Sequence, residues 1–210
     1  MNPSKLALGT LGAASASGGG AYAAYKSGAF SKPSPVLNVE QRLRNEEYEL
    51  INTDEKYKEI FKELKSKDGF MSELNKHKGT DDNLSGDADG TKGGSALQRM
   101  CSALLKSKEE SDFKNASGWC VLRIRDKALT GKSWIDISTG TNSDSDWQNS
   151  FNSNKEAMVS YGVEGIQSNT EATSGHPKVK EWCSKNTSLP INKLRKTIFD
   201  KASDWCTKKP

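Results

Sequence analysis

Apolar side chains recur at the period of an α-helix in several polar stretches of the chain, which predicts a mainly α fold. One stripe predicts an amphipathic helix over 52–67, with Asn52 and Glu55 placed for a capping box at its start. Its apolar positions i, i+3, i+4 and i+7 are Tyr57, Ile60, Phe61 and Leu64. A second stripe predicts a helix opened by Ser95, with the apolar residues Leu97, Met100, Cys101, Leu104 and Leu105.

Weaker patterns predict the remaining elements. A helix over 39–51 and a short helical piece at Phe70 to Leu74 precede a polar stretch. The β-branched and aromatic run 133–138 is the best strand candidate, so we expect at most a short strand pair. Three further helices are predicted, one opened by Ser145, one with Pro177 in its first turn, and a last one from Pro190. The apolar stripe of the last helix is Ile191, Leu194, Ile198, Phe199, Ala202, Trp205 and Cys206.

A short unit occurs twice. Residues 113–120 match residues 199–206 at Phe, Ala, Ser, Trp and Cys, and a looser copy ends in Trp182 and Cys183. In a helix these apolar positions lie close to one face, which predicts packing of an aromatic ring and a thiol in the core. The predicted structural core residues are Phe113, Trp119, Trp182, Phe199 and Trp205. The segments 95–126 and 177–206 therefore indicate a duplicated helix pair.

Composition divides the chain into four parts. The apolar share of 33% is low for a compact domain, so we expect part of the chain to lie outside a modest core. Residues 1–30 form an anchor or signal-like segment, and 31–78 combine a Pro/Ser linker with a charged helical stalk. The Asp- and Gly-rich stretch 79–94 is expected to be a disordered linker. Residues 95–210 are expected to form a small disulfide-stapled helical domain.

The N-terminal stretch from Leu6 to Tyr25 carries no charge. Twenty residues of helix are just enough to span a bilayer, which favours a membrane anchor. A cleaved signal ending at the small residues Ala14 to Ala16 is an alternative, and a flexible Ala/Gly-rich leader is another. Small residues also recur every fourth position, which permits two such helices to pack closely as a homo-oligomer. These positions are Gly12, Ala16, Gly20 and Ala24.

All four cysteines lie after residue 100. In an exported protein an even number predicts two disulfides, with three connectivities to choose from. The spacing places Cys101 and Cys120 on either side of a predicted helix hairpin, so a bridge across it is one candidate. The other candidate half-cystines are Cys183 and Cys206. No Cys-x-x-Cys motif is present, which disfavours a zinc ribbon or a thioredoxin-type site.

The sequence contains no convincing catalytic set. His77 lies in a charged segment and His176 at a helix start before Pro177, and neither belongs to a Ser–His–Asp or Cys–His set. Asp87 to Gly90 resembles part of a calcium loop, but Ala96 stands where a bidentate Glu is needed. Aromatic residues are not interleaved with basic ones as nucleic-acid binding requires. We therefore predict no enzyme activity, no cofactor, no metal and no nucleic-acid partner.

The chain resembles the large paralogous families of uncharacterised membrane-associated proteins in haemotropic mycoplasmas. The resemblance is carried by the start Met1 to Lys5, the run Gly18 to Gly20 and the repeated Trp-Cys units. It implies a surface protein with its C-terminal domain outside the cell, acting in host interaction or antigenic variation, with a host protein as partner. The alternative hypothesis is a thiol-dependent or hydrolytic enzyme in the C-terminal domain.

Overall fold

A computed structural model describes residues 36–80, 82–138 and 143–209. Their helices are α1 Val39–Asn45, α2 Asp54–Leu64, α3 Phe70–Leu74, α4 Thr91–Lys106, α5 Glu110–Trp119, α6 Asp144–Tyr161, α7 Ala172–Thr187 and α8 Lys196–Trp205. Two short strands, β1 Ser133–Trp134 and β2 Thr207–Lys208, pair antiparallel. The mainly helical fold with a short strand pair is thus confirmed. The predicted anchor segment lies outside the described residues.

Two separate hydrophobic cores divide this body into two modules. The first core contains buried residues from Val39 to Val121, and the second contains buried residues from Ile124 to Cys206. We call residues 37–121 the first module and residues 124–209 the second module. Each module consists mainly of one helix pair, α2 on α4 in the first and α6 on α7 in the second, closed by a further helix.

Both helix pairs pack through a Phe ring set against a glycine. The ring of Phe61 lies against Gly93 in the first module, and the ring of Phe151 lies against Gly175 in the second. A Cβ atom at either glycine would collide with that ring, so the close approach of the two helices requires glycine. In each module a half-cystine follows eight residues later, at Cys101 and at Cys183.

Each module closes with the same disulfide and the same strand contact. The bridges are Cys101–Cys120 and Cys183–Cys206, with Cα atoms 5.5 and 5.6 Å apart. The second cysteine of each pair follows a Trp at the C-terminal cap of a helix. Its carbonyl accepts a hydrogen bond from Ile51 in the first module and from Ile135 in the second.

The residues flanking those contacts also correspond. Leu50 pairs with Val121 as an isolated antiparallel bridge, and Trp134 pairs with Thr207 in the β1–β2 pair. In both cases the residue before the isoleucine pairs with the residue after the cysteine. The duplication expected from the Trp-Cys units is therefore present. It extends back to the helix pair that contains the first cysteine of each module.

The two modules join through a short extended segment. Leu122 donates a backbone hydrogen bond to Glu49 of the first module and accepts one from Ile191 of the second. Arg123 lies between them with only 3% of its surface exposed, and it pairs with Pro190 as an isolated bridge. The connecting segment is therefore fixed to the first module by backbone pairing on one side and to the second module by backbone pairing on the other.

The domain boundaries differ from those expected from composition. The stretch expected to be a separate stalk contributes Phe61, Phe70 and Leu74 to the first core, and residues 37–210 cluster as one unit. The expected linker is ordered where it is described, because Leu84 is buried and Asp87 accepts a hydrogen bond from Gly93 at the start of α4. The charged residues of this region lie on the outer faces of helices whose apolar faces are packed.

Several helices begin at other residues than those predicted. The cap of α2 is Thr53, whose hydroxyl accepts from the Lys56 amide, and not Asn52. Helix α4 begins at Thr91, so the hydroxyl of Ser95 donates to the Thr91 carbonyl within the helix. Ser145 lies inside α6, which begins at Asp144.

The other corrections concern helix lengths. The helix expected over 39–51 ends at Asn45, because Glu47 has a positive φ of 59° and Leu50 enters a strand bridge. Pro177 lies inside α7, which starts earlier than expected. The predicted last helix begins later than Pro190, with a 3₁₀ turn at Lys193–Arg195 that leads into α8, and Leu194 in that turn is 78% exposed.

Across the described parts of the chain, no helix has both the length and the apolar character needed to cross a bilayer.

Candidate functional site

The cysteines and histidines are the candidate catalytic or metal-binding residues, and each of them is engaged in local contacts of the fold. All four cysteines are paired in disulfides and buried. The imidazole of His176 contacts the carbonyl of Ala172 within α7 at 2.9 Å, and His77 lies 3.7 Å from Glu73. Within residues 36–80, 82–138 and 143–209, no group of His, Cys, Asp or Glu side chains is arranged to hold a metal ion.

The calcium-like motif serves as a helix start. The carboxylate of Asp87 accepts from the Gly93 amide at 2.6 Å, and that of Asp89 accepts from the Thr91 amide at 2.9 Å. These amides are among the first N–H groups of α4, which lack partners within the helix. The hydrogen bond from Thr91 is the main reason why the pKa of Asp89 lies below its ordinary value.

The predicted core aromatics are packed to different extents. Trp205 is buried in the second module, whereas Phe113, Trp119, Trp182 and Phe199 are partly exposed at the edges of the two cores. Trp119 makes an edge contact with Phe70 at 5.5 Å between ring centroids, and the Arg42 guanidinium lies 3.9 Å from the Phe113 centroid. Trp182 is the one whose surroundings differ most from those of its counterpart in the other module.

The counterpart of Trp182 is Met100, since each residue directly precedes the first cysteine of its module. Met100 is completely buried, and Leu104, one turn later, is 4% exposed. Their helix, α4, packs against α1 and α3 as well as α2 and α5. The positions corresponding to Met100 and Leu104 in α7 are Trp182 and Asn186, and both are partly exposed.

Trp182 and Asn186 are partly exposed because the second module has no helices in the positions of α1 and α3 among the described residues. Among the described residues, a 3₁₀ turn at Ile124–Asp126 stands in the place of α1, and a loop over 162–171 stands in the place of α3. Helix α7 packs mainly against α6, α8 and that 3₁₀ turn. A helix face that is covered in the first module therefore lines an open cleft in the second.

This cleft, which we call the α7 cleft, has a volume of about 340 Å³. Helix α7 contributes side chains at i, i+3, i+4, i+7 and i+8, namely Lys178, Glu181, Trp182, Lys185 and Asn186. The opposite wall is the start of the loop after α6, formed by Gly162, Val163 and Glu164. Gly162 has a φ of 79° and ends α6, and buried Val163 and Ile166 fix the loop to the core.

The aromatic wall of the α7 cleft is backed by two other rings. The Trp182 ring lies 4.9 Å from that of Trp205 and 6.3 Å from that of Tyr161, measured between centroids. Tyr161 contacts Trp205 edge-on at 5.6 Å, as Phe70 contacts Trp119 in the first module. The Lys201 ammonium lies 4.5 Å from the Tyr161 centroid and 5.1 Å from that of Trp205. These contacts hold the indole of Trp182 in one orientation.

Some polar groups of the α7 cleft are paired with their neighbours, and others have no partner among the described residues and can bind a ligand. The Lys178 ammonium lies 3.3 Å from Glu181, and the Asn186 amide donates to the Trp182 carbonyl at 2.8 Å. Among the described residues, Glu164 and Lys185 make no side-chain hydrogen bond or ion pair, and the indole N–H of Trp182 has no acceptor. By contrast, Trp134 and Trp147 donate their indole N–H groups to backbone carbonyls.

A larger cavity of about 500 Å³ on the same module is crossed by two ion pairs. Its Lys132 pairs with Asp204 at 2.9 Å, and its Lys208 pairs with Asp146 at 2.7 Å. The Ser150 hydroxyl donates to the Trp205 carbonyl. These bonds connect β2 and the end of α8 to α6, so we regard this cavity as a polar seam of the fold.

No family model matches the chain, and no curated protein or solved structure is found to be similar to it. The sequence pattern singles out Trp182, but as a core residue and not as the wall of a cleft. The internal repeat is the signal that could have revealed the cleft. When the sequences of the two modules are aligned on their first cysteines, Cys101 and Cys183, Met100 aligns with Trp182 and Leu104 with Asn186.

Proposed function

We propose that this chain is a non-enzymatic, membrane-anchored surface protein whose second module binds a partner outside the cell. The observation that carries this proposal is the pair of disulfides, each closing a helix hairpin in the core of its own module. Disulfides persist in oxidising, extracytoplasmic surroundings and are rare in reducing ones. The uncharged stretch from Leu6 to Tyr25 supplies the proposed anchor.

The α7 cleft supports a binding function. It combines a fixed aromatic wall with a few polar groups, which is typical of recognition sites. The corresponding face of α4 is buried, so the residues of this face differ between the two modules where one of them forms a cleft. The resemblance to paralogous surface proteins fits a role in host interaction.

Counting free thiols tests the proposal directly. Native cells are treated with a membrane-permeant alkylating agent before lysis, and the intact mass of the protein is measured with and without prior reduction. We expect no label before reduction and a label on all four cysteines after it. Four labels without reduction would indicate a reducing compartment and would overturn the surface location.

The anchor is tested separately. Deletion of residues 6–25 should move the protein from the membrane fraction to the soluble fraction, because the remaining chain loses its longest uncharged stretch. A full-length chain that is already soluble after cell lysis would contradict the anchor.

A further inference from the structure

We propose that the α7 cleft is a binding site for a neutral saccharide, which stacks one face of a sugar ring on Trp182. The proposal rests on the proposed function only in placing the ligand outside the cell. It is carried by four features of the cleft: the aromatic wall, the size, the charge balance and the supply of hydrogen-bond partners.

The first feature is the aromatic wall formed by Trp182. At the corresponding position the first module has an apolar residue that is not aromatic. Met100 occupies the corresponding position and is buried. The ring of Trp182 packs partly against Trp205 and Tyr161 and is partly in contact with water, so a ligand that covers the exposed part gains free energy from its burial. The C–H groups on one face of a pyranose ring form an apolar patch of matching shape.

The size of the cleft fits a small ligand. A volume of about 340 Å³ lies at the lower end of the range for small-molecule sites. It accommodates roughly one or two hexose rings and is too small for a helix or a folded protein domain.

The charges of the cleft cancel. Lys178 and Lys185 carry positive charge, and Glu164 and Glu181 carry negative charge. A site for phosphate or a sulfated chain would show an excess of cations, and a site for a polyamine would show an excess of carboxylates. A quaternary ammonium ligand is also disfavoured, because the Lys201 ammonium already lies over the neighbouring rings of Tyr161 and Trp205.

The polar groups include donors and acceptors in close proximity. Lysine and the Trp182 indole can only donate, the two carboxylates can only accept, and the Asn186 side-chain oxygen accepts. A sugar hydroxyl both donates and accepts, so vicinal hydroxyls can use neighbouring groups of opposite type. A neutral, hydroxyl-rich ligand can form hydrogen bonds with both kinds of group without adding a net charge to the cleft.

The test is a titration of the purified, disulfide-bonded full chain with methyl glycosides of glucose, galactose and mannose, with N-acetylglucosamine and with their short oligomers. Binding is followed by saturation-transfer NMR on the sugar and by the indole ¹⁵N–H signals of the protein. We expect a Kd on the order of 1 mM for the best monosaccharide, with saturation concentrated on one face of its ring.

Two variants at one position separate stacking from folding. Trp182→Phe keeps an aromatic face and should retain affinity within roughly threefold, whereas Trp182→Met, which copies the first module, should lose at least about tenfold. Because Met100 fills this position in the first module, Trp182→Met is expected to remain folded, which a urea transition checks. Trp119→Met makes the same change at another partly exposed Trp, outside the cleft in the first module, and as the control it should leave binding unchanged.

Three results would overturn the proposal: no binding across the panel, binding only to inorganic phosphate or sulfated sugars with a steep salt dependence, or equal affinity in Trp182→Met and the parent chain. Each is independent of the thiol count on cells. A panel without binding leaves the surface location standing if no free thiol is found. Conversely, saccharide binding by the purified chain would hold even if the cells yielded four free thiols.

Discussion

Gly93 and Gly175 perform the same task in the two modules, and neither is there for flexibility. Each lies inside a helix at a point where a Phe ring from the partner helix occupies the space of a side chain. Glycine within a helix normally lowers stability by about 1 kcal/mol relative to alanine, so its presence here indicates a steric requirement. The ring of Phe61 and the ring of Phe151 fix the distance between the two helices of each pair.

Substitution of these glycines by alanine should therefore reverse the usual helix preference. We expect Gly93→Ala and Gly175→Ala each to lower the free energy of unfolding by about 1–3 kcal/mol through overpacking against the Phe ring. Gly118 is the matched control, because it lies in α5 and a Cβ atom added there would meet no other atom within 4 Å. Gly118→Ala should raise stability by about 0.5–1 kcal/mol. Urea unfolding measures all three, and a stable Gly93→Ala variant would contradict this view of the packing.

These glycines also explain a failure of prediction from sequence. The composition of residues 79–94 predicts a disordered linker because glycine and aspartate lower the expectation of order. In the structure Gly93 and Gly94 are buried in the first turn of α4, and the Asp87 carboxylate accepts a hydrogen bond from the Gly93 amide. The same composition serves close packing and capping, and only the position of Phe61, more than thirty residues earlier, distinguishes the two outcomes.

The helices that carry the cysteines follow the same order in both modules. A helix with the first cysteine comes first, and a shorter helix that ends at Trp-Cys follows it. The apolar stripes of α2 and α4 could be predicted from the sequence because they occupy regular helical positions. Helix ends could not, because the caps depend on which of several neighbouring Asn, Ser and Thr side chains reaches an amide. The α7 cleft could not be found from one module alone, since an exposed Trp and a buried Trp give the same pattern.

The two disulfides should contribute similarly to stability. They span 19 and 23 residues, so their effects on the entropy of the unfolded chain are comparable, at about 3 kcal/mol each. We expect Cys101→Ala with Cys120→Ala, and Cys183→Ala with Cys206→Ala, to lower the unfolding free energy by similar amounts. Hydrogen exchange should show each loss first in the module that holds the deleted bridge. Equal loosening of both modules by either pair would contradict their separate cores.

Two titratable side chains of α2, Tyr57 and Lys56, should make the free energy of unfolding fall at alkaline pH. Burial raises the pKa of Tyr57, and its hydroxyl donates to the Ile51 carbonyl at 3.4 Å. Burial lowers the pKa of Lys56, but hydrogen bonds to Glu59 and Asp126 outweigh it, so that the pKa lies above its ordinary value. Both folded pKa values exceed the ordinary values of 10.0 and 10.5.

Because the unfolded chain then releases these protons first, the stabilising contribution is present below about pH 10 and is lost as the pH rises through the folded pKa values. Urea transitions at about pH 8 and above pH 10 measure the loss. Tyr57→Phe should reduce the slope, and a slope unchanged in both Tyr57→Phe and Lys56→Met would assign it to other groups.

At the scale of the whole molecule, the two modules are joined by backbone pairing and by a group of charges around Arg123. Its guanidinium Nε has no hydrogen-bond partner among the described residues and lies 4.0 Å from Glu63, which also pairs with Arg125. Burial lowers the pKa of Arg123, and the charges of Glu63 and Asp126 partly offset this. Lys56 reaches across the junction to Asp126 at 3.0 Å.

Substitutions at this junction should have opposite signs. Arg123→Met removes a poorly satisfied buried charge and should leave stability unchanged or raise it by about 1–2 kcal/mol. Glu63→Gln leaves that charge without its partner and should lower stability by about 1–3 kcal/mol. Thermal unfolding of the two variants and of their combination measures the coupling. A loss of stability in Arg123→Met as large as that in Glu63→Gln would mean that the pair itself holds the modules together.

The confinement of each disulfide to its own module has a mechanical consequence. A chain held at one end and bound at the other experiences tension, and tension unfolds protein by extending its backbone. The bonds Cys101–Cys120 and Cys183–Cys206 withhold the loops between them from extension. With sequence separations of 19 and 23, roughly 130 Å of contour length stays unavailable to a pulling force. The stretches that stay extensible are the segment around Leu122 and the parts of each module before its first cysteine, residues 37–100 and 124–182.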